Sequence, residues 1–535
     1  MRSIIYNPLE EYEKKLRDSH LGKTNTYFEE LVKESSVNIE ENRETVKQYN
    51  FYKENLVKLK RKLTLYRVLR VLMIITIVLI PVVILKTTPK IKELRAEIED
   101  ADKKADELLA LAYNQMLPLN RLFTDRDALK LIEETVPLIE FDACFTVKQE
   151  VDMKTNFDFR EQNEDEQSTI DVLAGRFNQN PFLFENKIIH TMGTETYHGY
   201  KTIYWTETYR DSNGKFRTRT RSQTLHATVT KPKPYYNTQV VLNYGAQGGP
   251  ELCFSRDASH LERKSKKAIE RHIKKGEKKL KRMTDKAISR NDDFTSMSNS
   301  DFEVLFDALD RTDEVQFRTL FTPLAQTNMV DLILSKTGYG DDFNFFKVNR
   351  MNKIISNHSQ GRLINLLPGV YTSYSFDLIR ENFINKNVEF FKAVYFDFAP
   401  LLAIPIYQER PVHSLKPIPD MSRLYSQKEC EALANMIDYQ YVVHPSTKTQ
   451  AILKSSYVGS KDNVDETCIT AYSYDIDQRV DVVSVLGGDG RYHNVSVPWD
   501  EYIPLQHSNS FYVAAENITK SDNIMATRNG LCIFN

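Results

Sequence analysis

The feature that most limits how this chain of 535 residues can fold is one apolar run near its N-terminus. Val71 to Leu85 are fifteen residues without a charge, and basic residues stand on both sides of them. A bilayer core of about 30 Å needs about 20 helical residues. Residues 66–86 reach that length if Arg67 and Arg70 extend toward the headgroups. The sequence therefore predicts one transmembrane helix over 66–86, the alternative being a helix buried in a protein core.

This segment does not have the features of a cleavable leader, because a long charged stretch precedes it and no small-residue cleavage pattern follows. We therefore expect a single-pass protein of the bacterial cell membrane. Lys and Arg number seven in residues 51–70 and six in 86–105, a slight excess that favours a cytoplasmic N-terminus. The C-terminal part would then lie outside, and the opposite orientation stays open.

Apolar residues recur every three or four positions on both sides of the run. They are Tyr49, Tyr52, Leu56, Leu59, Leu63 and Tyr66 before it, and Ile91, Leu94, Ile98, Ala101, Ala105, Leu108 and Ala112 after it. This spacing is typical of a coiled-coil seam. Thr88-Pro89 supplies a helix cap and a first-turn proline, so a new helix is expected over 89–115. The seams predict either a homo-oligomer or packing within one chain.

The rest of the chain has the mixed pattern of an α+β protein, with antiparallel sheets and helices in the soluble part. A hydrophobic content of 41 % with 27 % charged residues excludes a wholly disordered or multi-span chain. The expected segments are N-terminal helices in 1–65, the membrane helix in 66–86, the coiled-coil-like helix in 89–115, a β-rich domain in 116–258, a basic helix in 259–292, an α+β domain in 293–425, and a helix followed by a β-rich domain in 426–535.

Asn213-Gly214 lies between two alternating stretches and predicts a β-hairpin with a type I′ turn. If these two residues form the loop, Tyr209 faces Thr218. Trp205 and Tyr209 then share one face. The opposite face carries Arg217, Arg219 and Arg221, which we expect either to be solvated or to contact an anion. A second hairpin is expected from Val480 to Val497, with Gly487 to Gly490 as its turn and not as a phosphate-binding loop.

The overall charge is nearly balanced, with 72 Lys and Arg against 73 Asp and Glu, but residues 263–290 depart from that balance. They hold thirteen basic residues and three acids, and their apolar residues fall on one helical face. The candidate contacts are Lys274, Lys275, Lys278, Lys279 and Arg282. Such a helix could bind an anionic lipid surface, an anionic polymer or nucleic acid, or could be solvated.

Three short elements follow the basic helix, at Asp301 to Phe306, Asp313 to Pro323 and Met329 to Leu332. Their order resembles a bacterial membrane-protein family known only as a domain of unknown function, in which an F-E-x-x-F element precedes an acidic turn, a T-P step and a short helix. The family typically has two membrane helices, where this chain shows one apolar run. The resemblance implies a cytoplasmic soluble part and no particular chemistry.

Motifs of catalysis, metal binding or cofactor binding are lacking in the sequence, including HExxH, GxSxG, the Walker loop and CxxC. The five cysteines are scattered and do not indicate a disulfide framework. The sequence therefore favours a membrane-anchored, non-enzymatic binding or scaffold protein without a cofactor, whose protein partner it does not identify. The alternatives are a membrane-tethered hydrolase of envelope polymers, and a protein that binds nucleic acid or an anionic surface through residues 263–290.

Overall fold

The computed structural model describes residues 5–75, 87–160, 164–290, 294–409, 416–519 and 523–535. The helices are α1 (Pro8–Glu11), α2 (Arg17–Ser35), α3 (Ile39–Ile75), α4 (Thr88–Asn120), α5 (Asp127–Thr135), α6 (Val147–Asn156), α7 (Lys266–Arg290), α8 (Ser300–Phe306), α9 (Glu314–Leu320), α10 (Pro323–Leu334), α11 (Phe376–Leu402) and α12 (Gln427–Ala434). The strands are β1 (Ile139–Phe141), β2 (Gln167–Phe177), β3 (Asn180–Arg210), β4 (Phe216–Gly245), β5 (Cys253–Arg256), β6 (Phe343–Val348), β7 (Met351–Ser356), β8 (Ile452–Lys461), β9 (Val464–Leu486), β10 (Tyr492–Ala515), β11 (Ile524–Arg528) and β12 (Leu531–Phe534). The predicted α+β class is confirmed.

The chain forms two compact units, and each is built from separate stretches of sequence. A helical unit contains residues 10–137 and 365–396, and a mixed unit contains residues 1–9, 138–364 and 397–535. The boundaries of the two units differ from those of the seven segments expected from the sequence, because stretches distant in the chain pack together.

In the helical unit, α3 and α4 pack against each other as an antiparallel pair. Leu56 packs with Ala101 and Ala105 in one cluster, and Leu63 packs with Ile91 and Leu94 in the next. The two apolar seams predicted from the sequence therefore cover each other. Packing within one chain accounts for both seams over the described residues, so they are no longer an argument for a homo-oligomer.

The predicted membrane helix over 66–86 falls largely outside the described residues, which omit 76–86. Within the described ranges, no helix has both the length and the apolar character needed to cross a bilayer. Helices α3 and α4 flank the apolar run on its two sides.

The mixed unit contains two antiparallel sheets. Seven strands lie in the order β1-β2-β3-β4-β7-β6-β5, and five lie in the order β11-β12-β10-β9-β8. Strands β3 and β4 are paired over nearly their whole length, from Phe182 opposite Tyr244 to Arg210 opposite Phe216. At about 3.3 Å per residue, this hairpin is close to 100 Å long. The second predicted hairpin is also confirmed, by the pairing of β9 with β10.

The predicted register of the first hairpin is wrong by one residue, because Tyr209 lies opposite Arg217 and not Thr218. The Asp211 carboxylate accepts hydrogen bonds from the backbone N–H groups of Asn213 (2.9 Å) and Lys215 (3.0 Å). The loop consequently has three residues, and Gly214 takes the left-handed conformation at φ +76°. A shift of one residue moves every side chain to the other face. Arg217, Arg219 and Arg221 therefore share a face with Trp205 and Tyr209.

The two long hairpins pack face to face within the mixed unit. Ile203 and Leu225 of the first form a buried cluster with Val495 and Val497 of the second. Gly199 allows the close approach, because a Cβ atom there would lie 2.3 Å from the backbone oxygen of Ser496. The first hairpin continues beyond this contact as an exposed end over residues 206–220.

The stretch that resembles the bacterial family forms three short helices, α8, α9 and α10. Its phenylalanines Phe302, Phe306, Phe317 and Phe321 pack as an aromatic cluster, with ring centroids 4.7 Å apart for Phe317 and Phe321. These residues are buried in the core of the mixed unit. The resemblance therefore concerns residues that stabilise the fold.

Candidate lipid-binding cleft

The basic helix α7 is present at the predicted position and has one apolar stripe. Its sequence contains eleven Lys and Arg residues and three acids, with no proline to interrupt the helix. Leu280 and Ala287 are each 5 % exposed, whereas the lysines on the other faces are exposed. The stripe packs onto the other elements of the mixed unit, and the charged faces of α7 remain in solvent.

Gly276 lies in this stripe and sets the distance between α7 and α8. A Cβ atom at this position would lie 2.4 Å from a methyl carbon of Val304 in α8. Real Cβ atoms do not approach so closely, and glycine otherwise weakens a helix interior by about 1 kcal/mol. The glycine is therefore required by the contact between the helices, and sequence patterns alone do not show this contact.

Replacing Gly276 by alanine should loosen α7, because the added methyl group forces the two helices apart and costs about 1–3 kcal/mol. We expect faster amide hydrogen exchange along α7 in the full-length protein. Gly22→Ala is the matched control, since Gly22 is also inside a helix but has no atom within 4 Å of an added Cβ. That change should stabilise α2 by about 0.5–1 kcal/mol. Equal exchange in α7 of the wild-type protein and Gly276→Ala would contradict this packing.

A cleft of about 810 Å³ lies between α7 and α8. Its lining residues are His272, Lys275, Gly276, Lys278, Lys279, Leu280, Arg282, Met283, Lys286, Glu303, Val304, Asp307 and Leu309. Leu280 and Val304 in this lining are buried and form its apolar floor, whereas the five Lys and Arg side chains of the lining are exposed. The volume is in the usual range for a small-molecule site, and the combination of surfaces suits a molecule with an anionic end and an apolar end.

The two acids in the lining do not cancel this positive charge. The Glu303 carboxylate is buried and pairs with the Arg311 guanidinium at 2.7 Å. Burial raises the pKa of Glu303, and the nearby Arg311 opposes that rise. Asp307 lies 4.0 Å from Lys279, a long and exposed ion pair of little energetic weight. The cleft therefore remains cationic through Lys275, Lys278 and Arg282.

The structure separates the predicted contact residues into three groups. Lys275, Lys278, Lys279 and Arg282 line the cleft, whereas Lys274 lies on the same helix outside the lining. Arg217, Arg219 and Arg221 lie at the exposed end of the first long hairpin, and each has an acidic partner. Arg217 pairs with Asp211 at 2.8 Å, and both other arginines contact the Glu207 carboxylate. Two neighbouring carboxylates thus offset part of the charge of the three arginines.

A second cleft, of about 610 Å³, lies between the two sheets and bears on the hydrolase alternative. His190 contacts the Glu166 carboxylate, and its Nε2 atom lies 3.5 Å from the Tyr474 hydroxyl. The two serines of the cleft bond elsewhere: Ser455 donates to the backbone oxygen of Gln427, and Ser473 bonds to the Thr447 hydroxyl. The histidine therefore has a carboxylate that orients it, but the serines in this lining are engaged with other groups.

A buried polar network around His358 has no signal in the sequence, because Tyr339, Asp342 and Asp397 are distant from His358 in the chain. His358 Nδ1 lies 2.7 Å from Asp342, and its Nε2 lies 3.5 Å from Asp397. The Ser359 hydroxyl donates to Asp397 at 2.7 Å, and the Tyr339 ring stacks on the imidazole at 3.7 Å. Serine, histidine and aspartate suggest a catalytic triad, but here Ser359 bonds to Asp397 and is buried. The network stabilises the fold.

Comparison with protein-family models, curated proteins and solved structures gives no match. Among the described residues, no group of three or more His, Cys, Asp or Glu side chains is placed to hold a metal ion.

Proposed function

We propose that this protein is a membrane-attached, non-enzymatic binding protein whose ligand is an anionic lipid. The headgroup would lie against the basic side chains of α7, and an acyl chain would cover the apolar floor of the cleft. One observation carries the proposal: Lys275, Lys278 and Arg282 line the same cleft as the apolar side chains of Leu280 and Val304. A membrane attached through the apolar run 71–85 would supply such a ligand.

The composition of the cleft favours a lipid over nucleic acid. Proteins that bind single strands combine basic groups with aromatic side chains on which bases stack. Among the described residues that line this cleft there is no Phe, Tyr or Trp, and the apolar side chains Leu280 and Val304 lie there instead. Basic residues close to an anionic membrane surface contribute about 1 kcal/mol each, so the rim is sufficient to select an anionic headgroup.

The proposal can be tested with the full-length protein in non-ionic detergent and fluorescent phosphatidylglycerol. Charge reversal at three lining residues, by Lys275→Glu, Lys278→Glu and Arg282→Glu, should weaken binding about 100-fold, since each contact is worth about 1 kcal/mol. The matched control reverses three basic residues of the same helix that do not line the cleft, by Lys266→Glu, Lys274→Glu and Lys281→Glu. The control carries the same charge change and should retain most of the affinity.

Each alternative predicts another result. An equal loss of affinity for phosphatidylglycerol in both triple variants would mean that the whole of α7 acts as a charged surface. That result would contradict binding in the cleft. Equal affinity of the wild-type protein for phosphatidylcholine and phosphatidylglycerol would remove the role of the basic rim. Tight, salt-sensitive binding of an oligonucleotide that is lost in the lining variant would favour nucleic acid instead.

A further inference from the structure

The contacts between α3 and α4 run along both helices in antiparallel order. Near one end, the Gln115 side chain donates to the Thr45 hydroxyl at 3.1 Å. Closer to the apolar run, the Lys60 ammonium nitrogen lies 3.6 Å from a carboxylate oxygen of Asp102. Closer still, Leu63 packs with Ile91 and Leu94. The helix before the apolar run and the helix after it are therefore held side by side until a few residues from the run.

This packing conflicts with the single-pass topology expected from the sequence. A helix over 66–86 that crossed a bilayer core of about 30 Å would place Leu63 and Ile91 on opposite sides of it. Their side chains instead share one buried cluster. Two crossings are also excluded, because they need about 40 helical residues, and only residues 67–90 separate the packed ends.

The described end of α3 has the surface of a segment that meets lipid. Beyond Leu63, Leu65, Val68 and Leu69 are 64 %, 51 % and 38 % exposed. The helix continues to Ile75, five residues past Arg70, which is about 8 Å at 1.5 Å per residue. Interfacial helices bury their apolar side chains about 5–10 Å into a bilayer, with basic side chains at the headgroups.

From these observations we propose that the α3–α4 hairpin attaches the protein to one leaflet without crossing the membrane, so that α3 and α4 lie on the same side. This rests on the membrane attachment in the proposed function but not on the lipid cleft. Both halves of the chain, including the helix that lines the cleft, then occupy one compartment.

The topology can be tested with the full-length protein in bacterial cells, by adding one thiol on each side of the run. Lys62→Cys and Lys92→Cys place these thiols at exposed positions. A membrane-impermeant maleimide is applied to spheroplasts and to inverted vesicles, and mass spectrometry of peptides separates the new thiols from the five natural cysteines. We expect both thiols to react from the same side.

A second pair of variants tests the packing itself in the same membranes. Leu63→Cys with Leu94→Cys should form an intrachain disulfide on oxidation, whereas Leu63→Cys with Ala112→Cys, at the far end of α4, should not. Labelling from opposite sides, or no disulfide in the first pair, would overturn the one-sided hairpin while leaving the lipid cleft testable. Recovery of the chain in the soluble fraction would overturn both the hairpin topology and the membrane attachment.

Discussion

Replacing Arg528 by methionine should lower the free energy of unfolding of the mixed unit by about 3–5 kcal/mol. Arg528 in β11 is 4 % exposed, and it contacts Glu429 of α12 at 2.8 Å and Asp171 of β2 at 2.5 Å. Its removal leaves the buried Glu429 carboxylate without a positive partner, although the backbone N–H of Phe145 still donates to it. Chemical unfolding followed by tryptophan fluorescence measures the effect, because Trp205 and Trp499 both lie in this unit.

The effect of Arg528→Met should depend on pH in a direction set by Glu429. Burial raises the pKa of Glu429, and Arg528 lowers it. Without the arginine, the pKa of Glu429 in the folded state rises further above its value in the unfolded chain. The folded state of the variant then binds more protons than the unfolded chain between these two pKa values, so its stability falls as the pH rises from the lower value to the higher one. The loss should thus be smaller at pH 5 than at pH 8.

Arg479→Met is the matched control for this prediction. Arg479 is also a strand residue that pairs with a glutamate, Glu501 at 2.8 Å, but the two side chains are 53 % and 41 % exposed. Exposed ion pairs contribute about 0–1 kcal/mol. Losses of similar size in the two variants would show that Arg528 does not neutralise a buried charge.

Replacing Lys347 by methionine should have the opposite effect and stabilise the mixed unit by roughly 3–5 kcal/mol at pH 6. Lys347 is 1 % exposed, and its ammonium group donates to the backbone oxygen of Asn349 at 2.6 Å. Burial lowers its pKa to about 7, with smaller effects from Cys253 and Arg350. Methionine fills a similar volume without the cost of burying a charge.

The pKa of Lys347 determines how the stability gained in Lys347→Met changes with pH. The unfolded chain binds a proton at Lys347 up to about pH 10.5, whereas the folded chain releases it near pH 7, so wild-type stability rises between these values. The gain from Lys347→Met should be largest below pH 7 and should shrink by pH 9.5. Lys461→Met, at an exposed strand position, should change little at either pH. A destabilised Lys347→Met protein at pH 6 would refute the expectation.

For the first long hairpin, the sequence predicted the position of the two strands but not their register. Alternating residues and Asn213-Gly214 predicted its position, because side-chain alternation and glycine in a turn are local properties. The register depended on hydrogen bonds to the Asp211 carboxylate, which favour a three-residue loop over a two-residue loop. One residue of difference moved the three arginines to the face that carries Glu207, the carboxylate that contacts Arg219 and Arg221.

The basic cleft was likewise predicted from the sequence only in part. The sequence predicted the helix, its charge and four residues that line the cleft, since periodicity and charge are visible along one element. The partner of its apolar stripe, Val304 in α8, lies 28 residues from Gly276 in the chain. A contact between separate elements leaves no pattern in one sequence, and the same is true of the network at His358.

By itself, the sequence determined that the chain is α+β, where the two long hairpins, the apolar run and the basic helix lie, and that α3 and α4 each carry an apolar seam. Only the tertiary structure decided what covers those seams. Leu56 and Leu63 could have packed against another copy of the chain, and the contacts with Ala105 and Ile91 show that α4 covers them. Periodicity fixes which side chains share a face, whereas the partner of that face depends on long-range packing.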